Sequence, residues 1–204
     1  MKSSKLPNRF AKRRAGYTIA EFAPTLFLAF VIIVMPLLAF GTLALRYCLL
    51  LNAVRVACIG AARASTFQTD ISPATGNISS VTTATNDMNY ALYTKSSGVG
   101  GGMILLDPAH SPNPELWIYA TPLAGGTRSK ANTTANKAMA TPANTSLNTY
   151  NIEVIVYGII QPIFPGASWV KKWFGMSTFV GFTDPIYTQV RWDQWVENPS
   201  GLNQ

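Results

Sequence analysis

The chain has 204 residues, enough for one domain and a membrane anchor, and only 12% of them are charged. A soluble domain has about a quarter of its residues charged, so this deficit predicts a membrane segment. The net charge of +7 does not predict a nucleic-acid-binding face, because six positive charges fall within the first fourteen residues and the rest of the chain is close to neutral. Those six residues are Lys2, Lys5, Arg9, Lys12, Arg13 and Arg14.

Residues 22–45 contain no charged side chain and consist mainly of Leu, Ile, Val, Phe and Ala. As a helix this run rises about 36 Å, which exceeds the roughly 30 Å thickness of a bilayer core. The run is longer than the apolar core of a cleaved secretory signal, so we expect it to remain as an anchor. The positive charges before it predict a cytoplasmic N-terminus and an extracytoplasmic C-terminal domain. No cysteine follows Cys58, which is ordinary for an exported bacterial domain, and we therefore expect the bacterial inner membrane.

The helix is predicted to continue beyond the membrane. Residues 46–64 contain no proline and carry apolar side chains at three- and four-residue steps. The small residues Ala53, Ala57 and Gly60 would let another element approach the helix closely. These small residues indicate either a helix packed on its own domain, which we favour, or an interface with another subunit.

The remainder of the chain predicts an antiparallel sheet. Residues 150–160 place β-branched side chains at Ile152, Val154 and Val156, an alternation typical of a strand. Residues 65–90 and 125–149 are rich in Ser, Thr, Asn, Gly and Ala, and predict loops, edge strands or short capped helices. A long helix followed by strands predicts an α+β fold, with a small sheet domain on the outer half of the helix. Further predicted elements are a short helix at 169–174 and strands at 103–106, 116–120, 177–182 and 185–195.

The residue types offer no catalytic or metal-binding constellation. His110 is the only histidine, and the strained nucleophile turn G-x-S-x-G does not occur, so we expect His110 to be an exposed loop residue. The acidic residues are scattered singly and no Cys/His cluster exists, so neither a metal nor a cofactor is predicted. We therefore expect a protein that is not an enzyme and takes no small-molecule substrate.

Glu21 lies at the cytoplasmic edge of the apolar run. An ionised carboxylate at this depth costs about 2–3 kcal/mol, less if it reaches the interface. The residue therefore either has a partner within the membrane, or reaches the headgroups, or pairs with Arg13 or Arg14.

The stretch from Arg13 to Phe22, RRAGYTIAEF, resembles a prepilin-type processing site. In that family a basic leader ends in glycine, an inner-membrane peptidase cuts after it, and the fifth residue of the mature chain is glutamate. The resemblance implies a leader at residues 1–16 ending in Gly16, a new N-terminus at Tyr17, and Glu21 at the fifth position. It also implies that Glu21 pairs with the N-terminal amine of a neighbouring subunit.

The Glu21–Phe22 pair is similar to that of the tight-adherence (Flp) branch of type IV pili. Residues 35–41 (MPLLAFG), 52–55 (NAVR) and 61–64 (AARA) resemble the P-x-L-x-x-F-G, N-A-x-R and A-A-R pattern of TadE-like pseudopilins. Together they imply three regions: the leader 1–16, a transmembrane and extended helix 17–64, and an extracytoplasmic α+β domain 65–204.

The resemblance implies a minor pseudopilin that acts in biogenesis of a tight-adherence pilus or a related secretion apparatus. Its expected partners are the membrane, the prepilin-type peptidase, other pseudopilins or pilins, and pilus platform proteins. The alternative is a signal-anchored envelope protein whose outer domain binds a glycan or peptidoglycan through Trp192, Trp195 and nearby tyrosines.

Overall fold

The computed structural model describes residues 22–68, 79–94, 104–107, 109–110, 113–162, 172, 175, 180 and 183–204. The chain divides into two compact units, Met1–Gly41 and Thr42–Gln204. The processing-site residues Gly16, Tyr17 and Glu21 lie outside the described residues, as do most residues of the predicted elements 169–174 and 177–182.

The first described element is α1, a helix over Phe22–Arg63. Among the described residues it is the one helix that is long and apolar enough to cross a membrane. A π-helical turn at Phe30–Val34 interrupts its α-helical geometry. Pro36 follows this turn by two residues and has no backbone N–H, so the wider turn stands where the regular hydrogen-bond ladder of the helix is broken.

The helical part of the second unit forms one side of its hydrophobic core. Leu50, Ala53, Val54, Ala57 and Cys58 are fully buried. They recur at steps of one, three and four residues, so they make one continuous stripe along the helix.

A short helix, α2, covers Ser80–Asn89 and continues as a π-helical turn at Tyr90–Thr94. The Ser79 side chain caps its N-terminus by accepting a hydrogen bond from the Thr82 backbone N–H at 3.5 Å. The apolar side chains of Ala84, Met88 and Leu92 face the core. Because its sequence is rich in Thr and Asn, this helix depends on its cap and its packing more than on intrinsic helix propensity.

Among the described residues of the second unit, five strands form one antiparallel sheet. The central strand β4 pairs with β5 along one edge, and with β2 and β1 along the other; β3 pairs with the far edge of β2. The bounds are Ile104–Leu106 for β1, Glu115–Pro122 for β2, Ser129–Lys130 for β3, Asn148–Ile160 for β4 and Ile186–Trp195 for β5.

The two faces of the sheet differ in composition. The inner face contributes Leu116, Ile118, Ile152, Val154 and Val156 to the same core as α1 and α2. These side chains alternate along their strands, as the pleat requires. We call the opposite side, which carries the odd-numbered residues of β2, β4 and β5, the outer face.

The described structure confirms the coarse prediction of an α+β fold, with a long apolar helix first and an antiparallel sheet after it. Strands were predicted at 103–106, 116–120, 150–160 and 185–195, where β1, β2, β4 and β5 lie. Within 125–149, the open choice between loops, edge strands and short capped helices is resolved as the short edge strand β3 for residues 129–130. Within 65–90, the open choice between loops, strands and short capped helices is resolved as α2 for residues 80–89.

Candidate functional site: the long helix and the outer face of the sheet

The first unit presents an apolar helix surface. Phe22, the one predicted processing-site residue that is described, has 65% of its surface exposed. Most large apolar side chains remain more than half exposed as far as Phe40, at 69%. Soluble monomers rarely expose a continuous apolar surface of this size. We therefore expect this surface to contact another protein or lipid. The other residues of this set are Leu26, Phe27, Leu28, Ile32, Ile33, Leu37 and Leu38.

The predicted helix-packing residues lie inside their own domain. Ala53 and Ala57 are fully buried in the core shared with the sheet. Gly60 faces α2: a Cβ at this position would overlap the carboxylate of Asp87 and lie 2.9 Å from the Thr83 methyl group. Glycine at residue 60 therefore lets α2 approach α1 closely. The side chains that α1 exposes in this unit are different ones, including Asn52 and Arg55.

Polar contacts fix the second half of α1 to the strands. The Arg46 guanidinium donates to the carbonyl oxygen of Gln161 just after β4. The Cys58 sulfur lies 3.4 Å from the carbonyl oxygens of Ile152 and Trp192. The backbone N–H of Glu197 donates to the Ala62 carbonyl at 2.9 Å. These contacts distribute along the helix and attach it to β4, β5 and the segment after β5.

The outer face of the sheet combines aromatic rings with cations. Lys130 Nζ lies 3.4 Å from the centre of the Trp117 ring, and Arg128 Cζ lies 3.9 Å from that of Tyr119. Each cation covers a ring face and is attracted by its quadrupole. Burial, followed by a hydrogen bond with Glu153, raises the pKa of the Tyr119 hydroxyl above its usual value.

Trp192 and Trp195, which the alternative interpretation places on one ligand surface, lie on opposite faces of β5. Trp192 packs partly buried against the core, with Arg55 Cζ 5.5 Å from its ring centre. Trp195 lies on the outer face and is 57% exposed. Their spacing of three residues explains the difference, because side chains an odd number of positions apart on a strand point in opposite directions. A surface that combines both indoles is not formed.

A carboxylate–imidazole pair lies where β1 ends. Asp107 Oδ2 is 2.8 Å from His110 Nδ1, and Asp107 Oδ1 accepts the Ala109 backbone N–H at 3.0 Å. The His110 ring stacks on Tyr157 with centroids 4.3 Å apart. The expectation of an exposed loop position for His110 agrees with its side-chain exposure of 53%. The pairing was missed; its signal in the sequence is the aspartate three residues before the histidine, within a turn.

Asp107→Asn is expected to lower the urea midpoint at pH 7. The hydrogen bond from the Ala109 backbone, followed by that from His110, lowers the pKa of Asp107 below its usual value. Such a carboxyl stabilises the fold fully above its unfolded pKa of about 3.9, and this contribution disappears as the pH falls through the lower folded value. The midpoint difference between wild type and variant should therefore shrink as the pH falls below about 4. A difference that is the same at pH 7 and pH 3 would contradict this account.

The described part of the chain contains no group of three or more His, Cys, Asp or Glu side chains that could hold a metal ion. Comparisons of the chain with models of protein families, with curated proteins and with solved structures found no match.

Proposed function

We propose that this protein is a minor, TadE-like pseudopilin that acts in biogenesis of a tight-adherence (Flp) pilus or a related secretion apparatus. One observation carries the proposal: a glycine at residue 16 and a glutamate at residue 21 stand directly ahead of an apolar helix whose large side chains are mostly exposed from Phe22 to Phe40. A glutamate at this depth raises the free energy of membrane insertion. A helix that serves only as a membrane anchor would therefore not be expected to carry it.

The organisation of α1 supports this proposal. The first part of the helix offers an apolar surface, while the second part is fixed in the core of the sheet domain by Leu50, Ala53 and Ala57. One covalent helix therefore joins the membrane segment to the folded domain. Cleavage after Gly16 would remove all six leader charges, which hold the N-terminus on the cytoplasmic side.

In this proposal the protein crosses the bacterial inner membrane once, with its N-terminus in the cytoplasm and its sheet domain in the periplasm. A prepilin-type peptidase processes it between Gly16 and Tyr17. It then associates with other pseudopilins or pilins and with pilus platform proteins. The carboxylate of Glu21 pairs with the N-terminal amine of a neighbouring subunit, and this ion pair offsets the cost of its burial in lipid.

Glu21→Ala is expected to abolish pilus assembly while the protein remains in the membrane, because the amine of the neighbouring subunit loses its partner. The measurement is the amount of surface pili, with the variant protein quantified in isolated membranes. Glu197→Ala is the matched control, since its carboxylate forms an exposed pair with Arg63 at 3.0 Å and contributes little. Wild-type piliation in Glu21→Ala would show that the proposed pairing is wrong.

A further inference from the structure

Trp195 marks one end of the outer face of the sheet. It is the last residue of β5, and its side chain is 57% exposed. Its partner in the strand register is Asn151, and Asn151 in turn pairs with Tyr119 of β2. Since the rings of Trp117 and Tyr119 are covered by Lys130 and Arg128, the exposed indole of Trp195 offers an aromatic surface beside this covered pair.

A group of hydrogen-bonding side chains lies next to this indole. Asp193 Oδ2 accepts from Arg128 Nη1 at 3.1 Å and from Asn151 Nδ2 at 3.3 Å. Asp193 and Trp195 are two residues apart on one strand, so their side chains share the outer face. The Asp193 side chain is 49% exposed, and that of Arg128 is 35% exposed, so both can still contact a ligand. The guanidinium and the carboxylate balance each other's charge.

Asn151 carries an unsatisfied acceptor within this group. The residue is only 8% exposed, and its Oδ1 has no hydrogen-bond partner among the described residues. Buried polar atoms are nearly always satisfied, and those that are not require an explanation such as a missing ligand or water. Asn151 Nδ2 already donates to Asp193, so Oδ1 remains as an acceptor for a donor such as a hydroxyl or an amide N–H. Since Oδ1 is itself buried, such a donor reaches it only when neighbouring side chains move.

We propose that Trp195, Asp193, Arg128 and Asn151 form a binding site for an uncharged pyranose unit of a saccharide chain. The indole would stack on the apolar C–H face of the sugar ring. The carboxylate would accept sugar hydroxyl protons, the guanidinium would donate to sugar oxygens, and Asn151 Oδ1 would accept a hydroxyl or N-acetyl N–H after small side-chain movements. Because the charges of Arg128 and Asp193 balance each other, the site favours a neutral ligand over an anion or a cation.

The size of the site supports a saccharide unit over a second protein copy. One aromatic side chain buries about 150–250 Å², whereas a stable protein interface buries about 800 Å² on each partner. The neighbouring rings of the outer face are already covered by side chains of the same molecule. This inference does not rely on the proposed pilus function, and either can fail without the other.

The test uses the full-length protein in a detergent without a sugar headgroup, titrated separately with tri-N-acetylglucosamine, cellotriose and maltotriose. Calorimetry and tryptophan fluorescence should show saturable binding of at least one of them, with a Kd on the order of 1 mM. Trp195→Ala should weaken that binding about tenfold or more, which is the effect of losing one good contact. Trp195→Phe keeps an aromatic platform and should retain most of the affinity.

Tyr187→Ala is the matched control. Tyr187 is 67% exposed and lies on the same strand and the same face as Trp195, eight residues or roughly 26 Å away. Its replacement should leave trisaccharide affinity unchanged. The proposal is overturned if none of the three sugars binds at about 20 mM, well above the expected Kd, or if Trp195→Ala binds as wild type does. It is also overturned if Trp195→Ala changes only the oligomeric state in sedimentation, since the face would then be an interface between copies.

Discussion

Gly201→Ala is expected to destabilise the sheet domain strongly, lowering its free energy of unfolding by about 2–3 kcal/mol. Gly201 is buried in the 3₁₀ turn Pro199–Gly201. A Cβ there would overlap the carbonyl oxygen of Ser65 and lie 3.2 Å from Thr66 Cα. The clashing atoms belong to the backbone, and the Phe67 N–H donates to the Gly201 carbonyl at 3.1 Å. The segment around Ser65 and the C-terminal turn therefore cannot move apart without breaking this hydrogen bond.

Urea unfolding of the detergent-solubilised protein, followed by tryptophan fluorescence, measures this effect. Gly41→Ala is the matched control, because a Cβ on this helical glycine meets no atom within 4 Å. Alanine is favoured over glycine in a helix by about 0.5–1 kcal/mol, so the control should be neutral or slightly stabilising. An unchanged midpoint in Gly201→Ala would show that the C-terminal turn does not pack against the end of α1 as described.

Leu50→Ala is also expected to lower the free energy of unfolding by a large amount, about 2–5 kcal/mol, because it opens a cavity between α1 and the sheet. Leu50 is fully buried. It packs so closely on β4 that a Cβ on Gly158 would lie 2.7 Å from its Cδ2. The loss combines the transfer free energy of the deleted atoms with the cost of the void.

The same urea experiment measures this change, with Leu123→Ala as the control. Leu123 is 59% exposed in the turn after β2, where a substitution changes stability by at most about 0.5 kcal/mol. Equal midpoints for the two variants would contradict the assignment of Leu50 to the core that joins the helix to the sheet.

Elements whose apolar residues recur at a regular spacing could be predicted from the sequence. The alternation of Ile152, Val154 and Val156 identifies β4, and those residues form the inner face. The two residues of β3, Ser129 and Lys130, are too few to show any period. They are ordered as a strand by pairing with Tyr119 and Ala120, which is a tertiary effect that local sequence does not encode.

The limits of the compact units depend on packing and not on local sequence. The second compact unit begins at Thr42, inside α1, and includes the helix residues from Arg46 onward that contact the strands. The predicted boundary at residue 65 marks the end of the extended helix, whereas a compact unit is defined by which residues contact one another. The two divide the chain by different criteria.

The candidate sites could likewise be predicted from the sequence only in part. The strand period alone implies that Trp192 and Trp195 face opposite sides, but the grouping of Trp195 with Arg128 and Asn151 requires the register of three strands. The Asp107–His110 pair is local, and its spacing in a turn was available from the sequence. Its stacking on Tyr157 depends on β4, some fifty residues away.

The most direct test of the proposed pseudopilin function is the intact mass of the protein purified from the membranes of its native host, with and without the prepilin peptidase gene. We expect a chain that has lost residues 1–16 in the presence of the gene, and the full-length chain in its absence. A full-length chain in both strains would contradict the proposal, and the long helix would then be a plain membrane anchor for the sheet domain.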